Sequence, residues 1–147
     1  MTVEIRSPKT PEEWDNYYAL RYAVLRKPLQ QAPGSERNNG DATGVHFALY
    51  ENQQLMAIAR LDTSDTGVAQ VRFVAVDTTA QGKGYGRLIM EAVEEASRQR
   101  GDHKMILHAR DYAVDFYLRL NYTVVEKSYK LFDVLQHFLM EKQYDLL

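Results

Sequence analysis

Seven consecutive residues, Gln81-Gly82-Lys83-Gly84-Tyr85-Gly86-Arg87, set three alternate glycines and two cations between an apolar run and an amphipathic one. Glycine leaves the backbone without Cβ obstruction, so successive N–H groups can turn toward one anion at the positive end of the helix that follows. Such a loop suits the pyrophosphate of a nucleotide-containing cofactor. A Walker A loop needs a glycine five residues before its Gly-Lys pair, and that position relative to Gly82-Lys83 is Asp77. A dinucleotide fingerprint needs its third glycine where Arg87 stands, on a loop after the first strand of a parallel unit. Neither spacing is met. A bare Gly-x-Gly serves turns more often than ligands, but the alternate glycines, the two cations and the immediate helix together favour phosphate binding.

The elements that must position this loop are legible on either side of it. Val3 to Arg6 reads as a short strand, and Thr10-Pro11-Glu12-Glu13 supplies an N-cap, a proline at the first helical position and a capping-box glutamate. Trp14, Tyr17, Tyr18, Val24 and Leu25 recur at helical spacing until Pro28. Lys27 to Gly44 is rich in Pro, Gly, Gln, Asn and Asp, and is expected to be a functional loop, a lid or a cover for a short helix. Val45 to Glu51, Gln54 to Asp62 and Val68 to Asp77 are β-rich, with turns short enough for an antiparallel meander. Leu88, Ile89, Ala92, Val93 and Ala96 then form one predicted helical stripe, ended by Arg98, Arg100 and Gly101. Lys104 to Ala109 reads as a strand parallel to the one before the helix, joined by a right-handed crossover. Asp111 is expected to cap a helix through Leu120, with strands at Tyr122 to Tyr129 and Phe138 to Tyr144 connected by Lys130 to His137. The sum is one α+β domain over residues 1–147, with a mixed sheet flanked by helices.

Val74-Ala75-Val76-Asp77-Thr78-Thr79-Ala80-Gln81-Gly82-Lys83-Gly84-Tyr85-Gly86-Arg87-Leu88 resembles motif A of the GNAT superfamily of acyl-CoA-dependent N-acetyltransferases, matching at Gln81, Gly84 and Gly86. Downstream, Ala113-Val114-Asp115-Phe116-Tyr117-Leu118-Arg119-Leu120-Asn121-Tyr122 is similar to the family's motif B, at the right distance. The resemblance extends over about Val68 to Tyr144. It implies that backbone groups of Val74, Ala75 and Val76 pair with pantetheine as an added strand would, and that Gln81, Gly82, Lys83, Gly84, Tyr85, Gly86 and Arg87 hold the pyrophosphate of acetyl-CoA. Tyr117 takes the place of the family tyrosine beside the cofactor sulfur, where a phenol can serve as general acid. Asn121 replaces the usual glycine and is the next best residue for a left-handed helix end. Arg110 replaces an asparagine that contacts cofactor in relatives.

The resemblance also exposes a gap. Some family members carry a glutamate base on the fourth strand, and alignment backwards from Val76 puts Gln70 there, whose amide cannot take a proton. His46, His108 and His137 can titrate near neutrality, although a lone histidine is more often structural. The acceptor is expected to meet the first helix and the following loop, among Arg26, Lys27, Gln30, Gln31, Glu36 and Arg37. The implied activity is acetyl transfer to a primary amine by direct attack in a ternary complex. A non-catalytic acyl-CoA-binding sensor or partner module is the alternative that Gln70 leaves open.

The 147-residue composition agrees with these readings. With 18 basic and 20 acidic residues and no basic run, the chain has no nucleic-acid footprint. It has no cysteine, hence no disulfide, thiolate metal site or cysteine-borne acyl intermediate, and a reducing cytoplasm fits. No metal is expected, because no histidine pair has ligand spacing on one element. Charged side chains run throughout residues 1–25, so no signal peptide or membrane span is expected and the protein reads as soluble. An exposed final strand could pair with a second copy in a homodimer.

Overall fold

The computed structural model describes residues 2–144. Seven strands form one sheet in the order β1-β2-β3-β4-β5-β7-β6: β1 Val3–Arg6, β2 Val45–Glu51, β3 Gln54–Asp65, β4 Val68–Val76, β5 Lys104–Arg110, β6 Thr123–Leu131 and β7 Leu135–Gln143. The first four are an antiparallel meander, and β4 and β5 are the parallel pair. Three α-helices flank the sheet: α1 Pro11–Leu25, α2 Tyr85–Gln99 and α3 Val114–Leu118. The alternation of a strand assigns each helix a face. Leu49, Ala57 and Ala59 pack in one apolar cluster with Ile89 and Val93 of α2, while Ala48, Tyr50 and Ile58 pack in another with Tyr17 and Leu20 of α1. The two helices therefore cover opposite faces.

Thr10 caps α1 as its sequence suggests, accepting the Glu13 N–H at 3.1 Å. Glu13 does not close the box on Thr10. Its carboxylate instead accepts the Lys9 N–H at 2.7 Å and a two-pronged Arg6 at 2.9 and 2.8 Å, and Arg6 holds it down to about 2.

Four expectations need correction. The α2 stripe is turned: Tyr85, Ile89, Met90, Val93, Glu94 and Ser97 are buried, whereas Leu88 is exposed. Polar residues enter the stripe because they find partners, Glu94 accepting from Tyr122 Oη and Lys142 Nζ at 2.8 Å each. The helix drawn from Asp111 to Leu120 is a 3-10 turn, Asp111–Ala113, followed by only five α-helical residues, and Asp111 does not cap it. The last connection shrinks to Phe132-Asp133-Val134, since β6 and β7 both extend into the expected loop. The final strand is not an edge, because β7 lies between β5 and β6. The edge there is β6, where Val124, Val125 and Tyr129 are exposed.

The segment between α1 and β2 is anchored rather than a loose lid. It contains two 3-10 turns, Lys27–Leu29 and Asn39–Ala42, and its Asp41 accepts from two fully buried arginines, Arg21 at 2.8 Å and Arg60 at 2.9 Å. Arg60 also grips both carboxylate oxygens of Asp62, at 2.8 and 2.7 Å. Burial alone would raise the Asp41 pKa, but hydrogen bonds from Arg21, the Asn38 N–H and Arg60 hold it below the usual carboxylate value.

Candidate functional site

The parallel pair is joined only at its base. Val68, Ala69 and Gln70 of β4 pair with Lys104, Met105 and Ile106 of β5, and beyond Gln70 and Ile106 the strands part. A β-bulge accompanies the parting: two steps on β3, Ile58 to Arg60, are matched by three on β4, Arg72 to Ala75, with Phe73 at φ 55°. One extra residue reverses the parity of the strand. Gln70 and Arg72 therefore share the α1 face with Phe73 and Ala75, while Val74 and Val76 turn to the α2 face. The left-handed Phe73 is costly for a non-glycine residue. Its ring is hemmed by guanidinium groups, with Arg21 at 4.2 Å and Arg60 at 4.9 Å from its centroid.

The split opens a cleft of about 670 Å³ lined from both faces of the sheet. Val74, Ala75, Val76, Gln81, Gly82, Gly84, Tyr85, Gly86, Arg87 and Tyr117 all line it. Lys83 is exposed and outside the lining. The glycines divide their work. Gly82 and Gly84 stand at φ 81° and 88°, and a Cβ on either would meet nothing within 4 Å, so open space lies over a backbone that L side chains rarely adopt. Gly86 is held differently, since a Cβ there would lie 3.1 Å from Phe116 Cζ; its smallness lets α2 approach α3. No side chain caps α2 at Gly84, leaving its first N–H groups without intrahelical partners at the mouth of the cleft. This cradle fits a pyrophosphate. Gln81 makes one long contact, Nε2 to the Val76 carbonyl at 3.4 Å, on the strand expected to pair with pantetheine.

Tyr117 sits inside the cleft on α3, 8% exposed, edge-on to Phe116 and Tyr122. Burial raises its pKa above that of a free phenol, against a smaller lowering by Arg110. It therefore keeps its proton across the neutral range. The α3 turn ends as expected, with Asn121 at φ 73° and the Tyr122 N–H returning to the Tyr117 carbonyl at 3.1 Å.

The histidines separate clearly. His46 is consumed by structure: Nε2 donates to the Asp41 carbonyl at 2.9 Å and Nδ1 accepts from Tyr17 Oη at 2.8 Å. His137 lines the cleft, donates from Nδ1 to the Leu135 carbonyl at 3.0 Å and stacks on Tyr129 at 4.5 Å. His108 lines the cleft on β5, two residues past the point of parting, and its buried Nδ1 has no hydrogen-bond partner. Burial, then Arg72, lowers its pKa, so the ring is neutral at pH 7. Gln70 lines the cleft beside it. Of the polar groups expected at the acceptor, only Arg26 reaches the lining; Lys27, Gln30, Gln31, Glu36 and Arg37 do not.

A model of the acetyltransferase (GNAT) domain matches residues 15–144. The chain belongs to this family. It is an acyl-CoA-dependent acetyltransferase by that membership, in agreement with a relative from Bacillus subtilis (strain 168) named as the uncharacterized N-acetyltransferase YjcF. The two are 25% identical over 134 residues, covering 91% of this chain and 95% of that one. Two solved structures share the fold. Escherichia coli ElaA aligns at a TM-score of 0.81 with 21% identity, covering 97% of this chain and 99% of that one. An aminoglycoside 6'-N-acetyltransferase, solved with coenzyme A, aligns at 0.81 with 13% identity and 97% of each chain covered. At these identities the structures speak for the fold alone.

Arg72 carried no sequence signal. Strict alternation from Val68 would place it with Gln70, Val74 and Val76 on one face, and the bulge at Phe73 turns Val74 and Val76 to the other while Arg72 stays with Gln70 on the α1 face. Arg110 was visible only as a departure from a family asparagine. In the fold it lines the cleft and donates to the Leu25 carbonyl at 2.8 Å.

Proposed function

We propose that this member of the family moves the acetyl group of acetyl-CoA to a primary amine by direct attack within a ternary complex. The observation that carries this reading is the split between β4 and β5, which joins an open glycine cradle to a buried phenol within one cleft. The amides of residues 82–87 hold the pyrophosphate, and the Val74–Val76 backbone, free of β5 along this stretch, pairs with pantetheine.

The amine nitrogen bonds to the thioester carbonyl carbon, the carbon–sulfur bond breaks, and CoA leaves with its electron pair on sulfur. Tyr117 donates its hydroxyl proton toward that sulfur. His108 takes the proton that the amine gives up, in place of the carboxylate that Gln70 cannot supply; its place in the cleft wall and its lowered pKa suit a base at neutral pH. With no cysteine in the chain, no cysteine-borne acyl-enzyme intervenes. A cytoplasmic location belongs to the same reading. Pairing of two copies through a sheet edge on this side would use β6.

The test is acetyl-CoA binding followed by CoA release. Saturating acetyl-CoA should raise the melting temperature, since it binds the folded state, and an amine panel should release free thiol. An unmoved melting curve would sink the proposal. Binding without release from any amine would favour a sensor.

A further inference from the structure

Two groups of arginines differ in how their charge is balanced. Arg21 and Arg60 are fully buried and neutralised by Asp41 and Asp62. Arg26, Arg72 and Arg110 line the cleft and form no ion pair among the described residues. Among the described residues, no aspartate or glutamate lines the cleft.

These three cations converge on the α1 face, away from the glycine cradle. Arg26 Nη1 and Arg110 Nη2 both donate to the carbonyl oxygen of Leu25, at 3.1 and 2.8 Å, which draws the two guanidinium groups to one point at the end of α1. Arg72 stands on β4 beside Gln70, its guanidinium 5.1 Å from the centroid of the Phe73 ring. Their proximity is felt: burial lowers the pKa of Arg26, and Arg110 and Arg72 lower it further. Arg87 and Arg119 also line the cleft, but they lie with Phe116 between the cleft and a second depression beside α2 and α3, on the side where the cradle would hold the phosphates.

Like charges gathered around a half-buried cleft repel one another, and a bound counter-charge relieves that repulsion. The same field repels a polycation. On the reading that the cleft is an acetyl-transfer site, we propose that the acceptor is an amine that carries an anionic group, a carboxylate in the first instance, held by Arg72 and Arg110 while the amine faces His108. A planar carboxylate matches the fork of a guanidinium, and a charge-assisted pair there fixes orientation as well as affinity. The arrangement disfavours polyamines and aminoglycosides, which bring only positive charge.

The experiment compares amines that differ only in the anion. CoA release is measured with acetyl-CoA and glycine, leucine and glycylglycine, each against its C-terminal amide, and with putrescine as the cationic limit. Phosphoethanolamine and taurine report whether phosphate or sulfonate substitutes for carboxylate. The carboxylated member of a pair should have a kcat/KM at least about 10-fold above its amide. In Arg72→Gln that gap should close through KM, with the Kd for acetyl-CoA unchanged. Equal or better turnover of amides or putrescine overturns the proposal, as does an Arg72→Gln protein that keeps the full preference. If acetyl-CoA binds but no amine is turned over, calorimetry of N-acetylglycine against N-acetylglycinamide on the CoA-bound protein decides. Binding of the acid alone, weakened in Arg72→Gln, supports the proposal; equal binding, or none, overturns it. Failure to bind acetyl-CoA would instead remove the transfer reading beneath it.

Discussion

Replacing Asp41 by Asn should cost this protein much of its stability. Asp41 Oδ1 accepts from Arg21 Nη1 at 2.8 Å and Arg60 Nη1 at 2.9 Å, and both arginine side chains are fully buried. The loss is unequal. Arg60 retains the two-pronged Asp62 and the Asn38 side chain. Arg21 retains only neutral acceptors, the Glu36 carbonyl at 3.2 Å and Tyr17 Oη at 3.1 Å, and its Nε already lacks a partner. The substitution therefore leaves one buried guanidinium without a carboxylate, which costs about 3–5 kcal/mol when a buried pair is broken from one side. For a chain of this size that corresponds to a melting temperature lower by about 6–20 °C. Urea denaturation at pH 7 reads the loss directly, and a cycle with Arg21→Met isolates the pair. The double variant should regain most of the stability, because the stranded charge is gone. A loss under about 1 kcal/mol for Asp41→Asn, or no coupling with Arg21→Met, would refute the view that this pair anchors residues 27–44.

Gly84→Glu should abolish the acetyl-CoA-dependent rise in melting temperature, since it fills the open space over the cradle with negative charge at a left-handed φ of 88°. Retention of the shift would move the pyrophosphate elsewhere. Tyr117→Phe should lower the transfer rate constant by roughly 10²-fold with little change in acetyl-CoA affinity, and the wild-type rate should show no alkaline decline near pH 10 from this residue, whose pKa burial raises. An unchanged rate would return Tyr117 to the core. His108→Asn should remove the acid limb of the pH–rate profile, which in the wild type rises with pH through a value below 6.5; a limb that persists excludes His108 as the base. Stability should fall on acidification. Burial is the first cause of lowered pKa values in His46, His108 and His137. The unfolded chain thus takes up protons near pH 6.5 that the folded one refuses, and stability complete above that pH is lost below it. A melting temperature that is flat or rises from pH 7 to 5 would contradict these shifts.

The sequence alone determined the donor side. The glycines at 82, 84 and 86 report backbone demands that no other residue meets as cheaply, and the Asn at 121 does the same for a helix end. Such local signals survive translation into structure because they depend on φ and on N–H direction rather than on distant partners. The meander and the parallel crossover were legible for a related reason, since short turns and a strand–helix–strand length leave few topologies. The buried face of α2 was misjudged because Glu94 and Ser97 look exposed until Tyr122, Lys142 and Asp102 are brought to them. The placement of β7 inside the sheet was likewise invisible, because it depends on pairing with β5, which lies across α3 and β6 in the chain.

Only the tertiary structure decided the acceptor side. A single extra residue at Phe73 reverses the parity of β4, and parity determines which side chains share a face. Arg72, left on the α1 face while Val74 and Val76 turn away, meets Arg26 from a helix end and Arg110 from another strand, 46 and 38 residues from it in the chain. No local pattern encodes that meeting, nor the lack of an aspartate or glutamate among the described residues that line the cleft. Charge balance within a cleft is a property of everything that lines it, and the chain acquires it only when folded.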